Sequence, residues 1–179
     1  MPVEVGGTVR SLLCDQLGLD PGYVDTRIQT VFLNGRPVDQ LEEATVPDRA
    51  AVALSAALPG LLGATLRKSG AYASLRQGIT HTESGTRGGP ALGSITLRVF
   101  NVLLPELAPR ILQSGVRVRA GRLDACLRRH HSQGLRGIQG ADLNGEPLDL
   151  EDLTGLPLDS EHWIELVLTR TEDAPASPD

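Results

Sequence analysis

The hydrophobic pattern at the start of the chain predicts a strand, a helix and then further strands. Alternating apolar residues at 3–5 indicate the first strand. The helix is indicated by four apolar residues at one-face spacing, which are Val9, Leu12, Leu13 and Leu17. A β-rich run at 28–33, the turn pair Asn34 and Gly35, and an apolar run at 50–57 complete this order.

The same order of elements returns in the second half of the chain. Both halves contain the motif Leu-Asn-Gly-x-Pro-(Val/Leu)-Asp, in which Asn144 follows Asn34 by 110 residues. The helix pattern that starts at Val9 corresponds to one that starts at Leu123, and an apolar run at 163–168 ends the second set. Because separate elements match in the same order, we interpret the two halves as an internal duplication.

One predicted strand has no counterpart in the first half. A strand at 95–103 precedes the strand at 116–118, whereas no strand precedes the one at 3–5. We expect residues 65–75 to supply the missing strand in a permuted order. The alternative is a strand exchanged with a neighbouring chain, which would form a homodimer. Without either strand, an open sheet edge would favour association.

The pattern therefore predicts an α+β protein of two tandem units, each a mixed sheet of about four strands with one helix across it. We expect the first unit to span residues 1–83 and the second to span 94–170. The segment between them, 84–93, is rich in glycine, serine, threonine and proline and is expected to be a linker. Residues 171–179 are expected to form a disordered tail.

Four segments of the first unit carry a resemblance to a known family. They are VGGTVRSLL at 5–13, LGLDP at 17–21, VFLNGRPV at 31–38 and VPD at 46–48. These segments resemble the ubiquitin-like sulfur carriers of thiamine and molybdopterin biosynthesis, which have the β-grasp fold. The resemblance covers 3–60 closely and 95–168 loosely, and it implies a β-grasp fold for both units.

Carriers of that family act through a free C-terminal Gly-Gly, whose carboxylate is adenylated and then converted to a thiocarboxylate. Neither predicted unit ends in Gly-Gly. Cleavage after Gly89 would expose a carrier-like end at Gly88 and Gly89, although the same pair is also typical of a flexible linker. Our leading hypothesis is therefore a non-catalytic binding or scaffold protein with protein partners. A carrier-like protein that requires processing at Gly89 is the alternative.

A third hypothesis, anion or nucleic-acid binding, follows from an uneven distribution of charge. The net charge is −5, yet residues 107–141 contain seven arginines and one acidic residue. Five of these arginines are candidate anion- or partner-binding residues: Arg117, Arg119, Arg122, Arg128 and Arg129. Since no aromatic residue lies among them in the sequence to stack on bases, the pattern disfavours nucleic acid as the partner.

The remaining residues predict neither catalysis nor a cofactor. Cys14 and Cys126 are too few for a disulfide framework or a four-thiolate metal site, and we expect both thiols to be buried beside apolar helix faces. The N-terminus has no secretory pattern, and the longest uncharged stretch contains glycine and proline. The sequence therefore predicts a cytoplasmic protein that does not enter the membrane, with no catalytic residues and no metal.

Overall fold

A computed structural model of the chain consists of two units, Met1–Ser114 and Gly115–Asp179. The structure describes residues 1–58, 60–68, 70–76, 78, 80, 91–134, 138–149 and 159–169. Both units contain helices and strands, so the predicted α+β class is confirmed.

Capping side chains set two of the helix starts in the first unit. The Thr8 hydroxyl accepts a hydrogen bond from the Ser11 N–H at 3.2 Å, and the Asp20 carboxylate accepts one from the Tyr23 N–H at 2.9 Å. The helices are α1 (Val9–Ser11, continued by a π-helical turn, Leu12–Gln16), α2 (Pro21–Thr26), α3 (Gly60–Leu66) and α4 (Leu103–Gln113). The helix predicted from the pattern at Val9 is thereby confirmed.

The described residues of the first unit form six strands. They are β1 (Pro2–Val5), β2 (Thr30–Leu33), β3 (Arg36–Pro37), β4 (Ala51–Ser55), β5 (Ala91–Ser94) and β6 (Thr96–Val99). Between β2 and β3, Asn34 and Gly35 adopt φ values of 51° and 81°, which is the left-handed geometry that a tight hairpin requires. The strand β2 pairs antiparallel with both β3 and β4.

Strands β5 and β6 form one extended segment, residues 91–99, which we call the central segment. Its first half pairs antiparallel with β1, and its second half pairs parallel with β4. The Ile95 N–H donates to the Met1 carbonyl at 3.0 Å, and the Thr96 N–H donates to the Ala50 carbonyl at 2.8 Å. Because consecutive N–H groups of a strand point to opposite edges, the central segment lies between β1 and β4. β1 and β5 form a 2-stranded sheet, and the neighbouring 4-stranded sheet has the order β3, β2, β4, β6.

This placement differs from the sequence-based domain assignment. The pattern assigned the strand at 95–103 to a second unit starting at residue 94, but the strand ends at Val99 and its partners belong to the first unit. Residues 91–93 of the expected linker 84–93 lie in β5, and residues 84–90 fall outside the described part of the chain. Periodicity identifies an extended segment but not the edge with which it pairs. A long connection to that edge adds only a small loop-closure cost.

The strand expected at 65–75 is wrong. Residues 60–66 form α3, and Ala73–Arg76 form a short 3₁₀ turn. The three leucines and the one alanine of α3 have high helix propensity. Residues 91–99, rather than 65–75, pair with β1 and β4 of the first unit. The expected tail at 171–179 lies outside the described residues.

Aliphatic side chains from every layer of the first unit form one core. The largest fully buried ones are Leu12, Leu13, Ile28, Leu33, Leu54, Leu103, Val9, Val24, Val31, Val38, Val46 and Val52. Ile95 and Leu107 join the same core from the central segment and α4. The segment from 91 to 107 therefore contributes buried residues to a core whose other members lie before residue 57.

Side chains restrict strand pairing at both ends of this sheet order. At β1, the Glu4 N–H donates to Gln16 Oε1 at 2.8 Å, and Gln16 Nε2 donates to the Glu4 carbonyl at 2.9 Å. At the other end, β3 is two residues long and contains Pro37, which has no N–H. Both features reduce the capacity of an edge to add a further strand.

In the second unit the structure describes a strand, a helix, a hairpin and a strand, which is the order predicted for residues 116–168 without the strand at 95–103. Its elements are β7 (Val116–Arg119), α5 (Ala120–Gly134), β8 (Ala141–Leu143), β9 (Glu146–Leu148) and β10 (Trp163–Leu166). The β8–β9 turn repeats the left-handed pair, with φ values of 57° at Asn144 and 85° at Gly145. Strand β7 pairs directly with β10 in antiparallel register.

Candidate functional site

Three large apolar side chains are exposed where the central segment leads into α4. Phe100, Val102 and Leu104 are 48%, 49% and 52% exposed. Val102 occupies the N-cap of α4 and makes no side-chain capping bond, although a polar residue there would stabilise the helix. We call residues 100–104 the apolar turn. Its exposed apolar residues and apolar N-cap do not favour local stability. Such residues are typical of a surface used for binding.

Hydrogen bonds fix the backbone of the apolar turn. The Phe100 N–H donates to the Leu54 carbonyl at 3.0 Å, and the Leu104 N–H donates to the Asn101 carbonyl at 3.1 Å. Asn101 has a φ of 58°, and its Nδ2 donates to the Ser55 hydroxyl at 3.0 Å. The exposed side chains are therefore carried on backbone that is tied to the central strand β4.

An ionic cluster ties α4 to α2 close to the apolar turn. The Tyr23 hydroxyl donates to Glu106 Oε2 at 2.6 Å, while the Arg27 guanidinium donates to Oε2 at 3.1 Å and to Oε1 at 2.5 Å. The hydrogen bonds from Arg27 and Tyr23 hold the pKa of the Glu106 carboxyl at about 2. Burial and the bond to Glu106 raise the pKa of the Tyr23 phenol to about 12. The Glu106 carboxylate therefore stays ionised over the whole physiological pH range. The Tyr23 phenol stays neutral over the same range.

Replacement of Glu106 by glutamine should make the free energy of unfolding depend less on pH in the acid range. A carboxylate whose pKa is lowered by folding stabilises the native state above its unfolded pKa, near 4.5, and this contribution is lost as the pH falls through about 2. The wild-type protein should therefore exceed Glu106→Gln in urea midpoint at pH 7, and the difference should close between pH 4.5 and 2. An equal difference at both ends of that range would contradict a role for the charge.

The structure brings an aromatic ring to two of the candidate arginines. Arg119 and Arg117 lie over the Trp163 ring, with guanidinium carbons 4.7 Å and 5.8 Å from its centroid. Sequence reasoning missed this contact because Trp163 follows β7 by more than forty residues. The alignment of the two halves gives no signal for it, because β1 and β4, the strands aligned with β7 and β10, do not pair with each other in the described structure.

Ion pairs neutralise two of the five candidate arginines. Arg119 Nη1 donates to the Glu161 carboxylate at 2.5 Å and to the Glu161 carbonyl at 2.8 Å. Arg128 is paired with Asp124 at 2.8 Å, one helical turn away, and this hydrogen bond raises the pKa of its guanidinium. The other three have no carboxylate within 4.0 Å in the described part of the chain: Arg117, Arg122 and Arg129. The five arginines therefore do not act as one free cationic surface.

The remaining sequence-based candidates are distributed as follows. Gly88 and Gly89 lie outside the described residues. Cys14 is partly buried against the core, whereas Cys126 is exposed, so the expectation of burial is wrong for Cys126. Cys126 lies on the same exposed face of α5 as Arg122 and Arg129, where helical periodicity turns it away from apolar neighbours.

Neither a metal centre nor a membrane span is found in the described ranges. No group of three histidine, cysteine or carboxylate side chains among these residues is placed to hold a metal ion. None of the helices described has the length and apolar character needed to cross a membrane. The chain matches no protein-family model, no curated protein and no solved structure.

Proposed function

We propose that the protein is a non-catalytic binding or scaffold protein that receives a protein partner at the apolar turn of its first unit. The observation that carries this proposal is the exposure of Phe100, Val102 and Leu104 on backbone fixed by hydrogen bonds. Adjacent apolar side chains on a rigid base bind a partner at low entropic cost, because little has to be ordered on binding. Protein surfaces enriched in such groups are typical binding sites.

We further propose that both units are β-grasp domains, the first of them circularly permuted. In a β-grasp sheet the first and last strands are parallel neighbours at the centre, and a helix follows the first hairpin. The pairings support this assignment: the central segment is antiparallel to β1 along its first half and parallel to β4 along its second half, and β4 is antiparallel to β2. The central segment then has the role of the first strand, moved to the C-terminal side of the unit.

The permuted order also bears on the carrier-like alternative. A cut after Gly89 would separate the central segment from β1 and β4, which it joins. A carrier released in this way would lose the middle strand of its own sheet. We therefore propose that the chain acts uncleaved.

Anion binding is less well supported than protein binding. Two of the candidate arginines are neutralised by carboxylates, and the second unit contains twelve acidic residues against seven arginines. An excess of acidic residues repels a polyanion such as nucleic acid. Arg117 above Trp163 is better suited to contact a carboxylate of a protein partner.

A photo-crosslinking amino acid at Val102 tests the proposed function in the full-length protein. In the cell from which the chain derives, we expect one discrete adduct with a protein partner. Phe100→Asp together with Leu104→Asp should reduce its yield about tenfold or more, because each removes an apolar contact and buries a charge in the complex.

Leu92→Asp is the matched control for this experiment. Leu92 is also an apolar residue of the central segment and is 90% exposed, but it lies at the opposite end of that strand from Phe100, roughly 25 Å away. The control should retain the adduct. Absence of an adduct at Val102, or an adduct unaffected by the double substitution, would contradict the proposed function.

A further inference from the structure

The two Asn-Gly turns share a local sequence and a backbone geometry. Asn34 and Gly35 join β2 to β3, and Asn144 and Gly145 join β8 to β9; a leucine precedes each pair, and all four residues have positive φ. An asparagine side chain reacts most readily with the next peptide nitrogen when glycine follows it, because glycine has no side chain to obstruct the approach. The chain therefore contains two copies of one reactive dipeptide, and the contacts of each copy decide whether it reacts.

The side chain of Asn34 is held by strand β4. Its Oδ1 accepts a hydrogen bond from the Ala51 N–H at 2.9 Å, and its own N–H donates to the Ala51 carbonyl at 2.8 Å. The strand that leads into this turn, β2, also pairs with both β3 and β4. To reach the Gly35 nitrogen, the side chain must first leave Ala51, and this leaves the Ala51 N–H without its partner. These contacts protect Asn34.

The side chain of Asn144 has more freedom. It is exposed and makes no hydrogen bond within the part of the chain that the structure describes. In the same part of the chain, β8 and β9 form a sheet of two strands. A hairpin of two strands is only marginally stable, so its turn rearranges at little cost. Both the carboxamide and the backbone of Asn144 can therefore move towards a reactive geometry.

A carboxylate lies beside the nitrogen that would react in the second turn. The Gly145 N–H donates to Asp142 Oδ1 at 3.2 Å. The nitrogen must lose its proton when it attacks, and a carboxylate within hydrogen-bond distance is placed to accept that proton. The corresponding residue of the first turn, 110 positions earlier, is Phe32, which cannot accept a proton. The second turn therefore combines a nucleophile, an electrophile and a proton acceptor.

We propose that Asn144 is a site of spontaneous modification to isoaspartate. The Gly145 nitrogen attacks Cγ of Asn144, a bond between adjacent residues that proximity favours. The bond from Cγ to the side-chain nitrogen breaks, and Asp142 passes the proton from Gly145 to that nitrogen, which leaves as ammonia. Water then opens the cyclic imide, and opening at the original main-chain carbonyl gives isoaspartate. The sequence of steps consumes water, releases ammonia and transfers no electrons.

The product changes both the charge and the length of the turn. A new carboxylate joins a hairpin that already contains Asp142 and Glu146, and like charges repel. Isoaspartate also adds one carbon to the main chain between Leu143 and Glu146, which are opposite each other in the present register. The modification therefore weakens the pairing of β8 with β9. This inference is independent of the partner proposed for the apolar turn.

Incubation of the full-length protein at mildly alkaline pH tests the proposal. Isoaspartate is measured by methyl transfer from S-adenosylmethionine with an isoaspartyl carboxyl methyltransferase, and its position by mass spectrometry of peptides prepared at mildly acidic pH. We expect Asn144 to be converted about tenfold or more faster than Asn34, because the Ala51 hydrogen bond and the larger sheet restrain Asn34. Equal conversion, or faster conversion of Asn34, overturns the proposal.

The same incubation in concentrated urea is the control for local sequence. Unfolding removes the hydrogen bonds of both turns, and the two asparagines then have the same neighbours, leucine before and glycine after. We expect their rates to become similar. A preference for Asn144 that persists unchanged in urea would assign the difference to sequence rather than to structure, and it overturns the proposal.

The variant Asp142→Asn tests the role of the carboxylate. Asparagine has nearly the same shape and its side-chain oxygen still accepts from the Gly145 N–H, but it is a far weaker proton acceptor. Conversion of Asn144 should slow by about threefold or more, whereas the rate at Asn34 should not change.

Glu146→Gln is the matched control, because it removes a carboxylate from the same hairpin and leaves the bond from Gly145 to Asp142 in place. It should retain the wild-type rate at Asn144. An unchanged rate in Asp142→Asn, or an equal loss in both variants, overturns proton transfer through Asp142.

Discussion

A chain that ends at residue 83 should not fold, whereas a chain that ends at Ser114 should unfold in one cooperative transition. The shorter chain lacks the central segment and α4, so β1 and β4 lose the strand with which both pair. It also lacks Ile95, Leu103 and Leu107, which are buried in the common core. Each such side chain stabilises a fold by about 1.5–3 kcal/mol, and a domain is stable by only about 5–15 kcal/mol.

Circular dichroism during urea titration measures this difference in both truncated chains. The chain ending at Ser114 should show a sigmoidal transition, and the chain ending at residue 83 should show a sloping baseline without one. The same sigmoidal transition in both chains would show that the first unit ends near residue 83, as the sequence pattern predicts. It would also remove the permuted order from the β-grasp proposal.

Leu103→Ala should destabilise the first unit by about 2–5 kcal/mol, which is the range for a leucine truncated in a packed core. Leu103 is fully buried at the first position of α4. The adjacent Leu104 is 52% exposed, and Leu104→Ala should change the free energy of unfolding by less than about 0.5 kcal/mol. The two variants have the same change in composition and nearly the same helix position, so burial is the variable that separates them.

Denaturant unfolding of both variants in the chain ending at Ser114 measures these values. The free energy of unfolding follows from the midpoint and the slope. Equal losses in the two variants would show that α4 does not pack on the core through Leu103. A small loss in both would place α4 outside the first unit.

The sequence predicts local structure well where a residue has one favoured conformation. Both Asn-Gly pairs form left-handed turns, since asparagine and glycine tolerate positive φ. Thr8 caps the first helix because its hydroxyl reaches the N–H of Ser11. These features depend on a few neighbouring residues and can therefore be derived from them.

The sequence does not reveal which distant strands pair. The alternation of Ile95, Leu97 and Val99 predicts an extended segment, but it is compatible with either unit. The segment at 65–75 was assigned to the first unit because it is nearer along the chain, yet β1 and β4 pair with residues 91–99. Proximity in sequence is a weak guide here, because loop-closure entropy grows only slowly with length.

The candidate binding surface can likewise be predicted only in part from the sequence. Arginines of β7 were identified by charge, but their contact with Trp163 depends on the pairing of β7 with β10. The apolar turn was missed altogether, since Phe100 continues an apolar strand and gives no sign that its side chain faces solvent. Exposure depends on the direction of the chain after Val99, which the positive φ of Asn101 sets.

The late position of the central segment also determines when the first unit can be completed during synthesis. The strands β1 and β4 leave the ribosome with a gap between them, and Val99 follows Ser55 by more than forty residues. At about 5–20 residues per second, the nascent sheet remains open at its middle for roughly 2–9 seconds. Until then its unpaired backbone edges are accessible to chaperones and to neighbouring nascent chains.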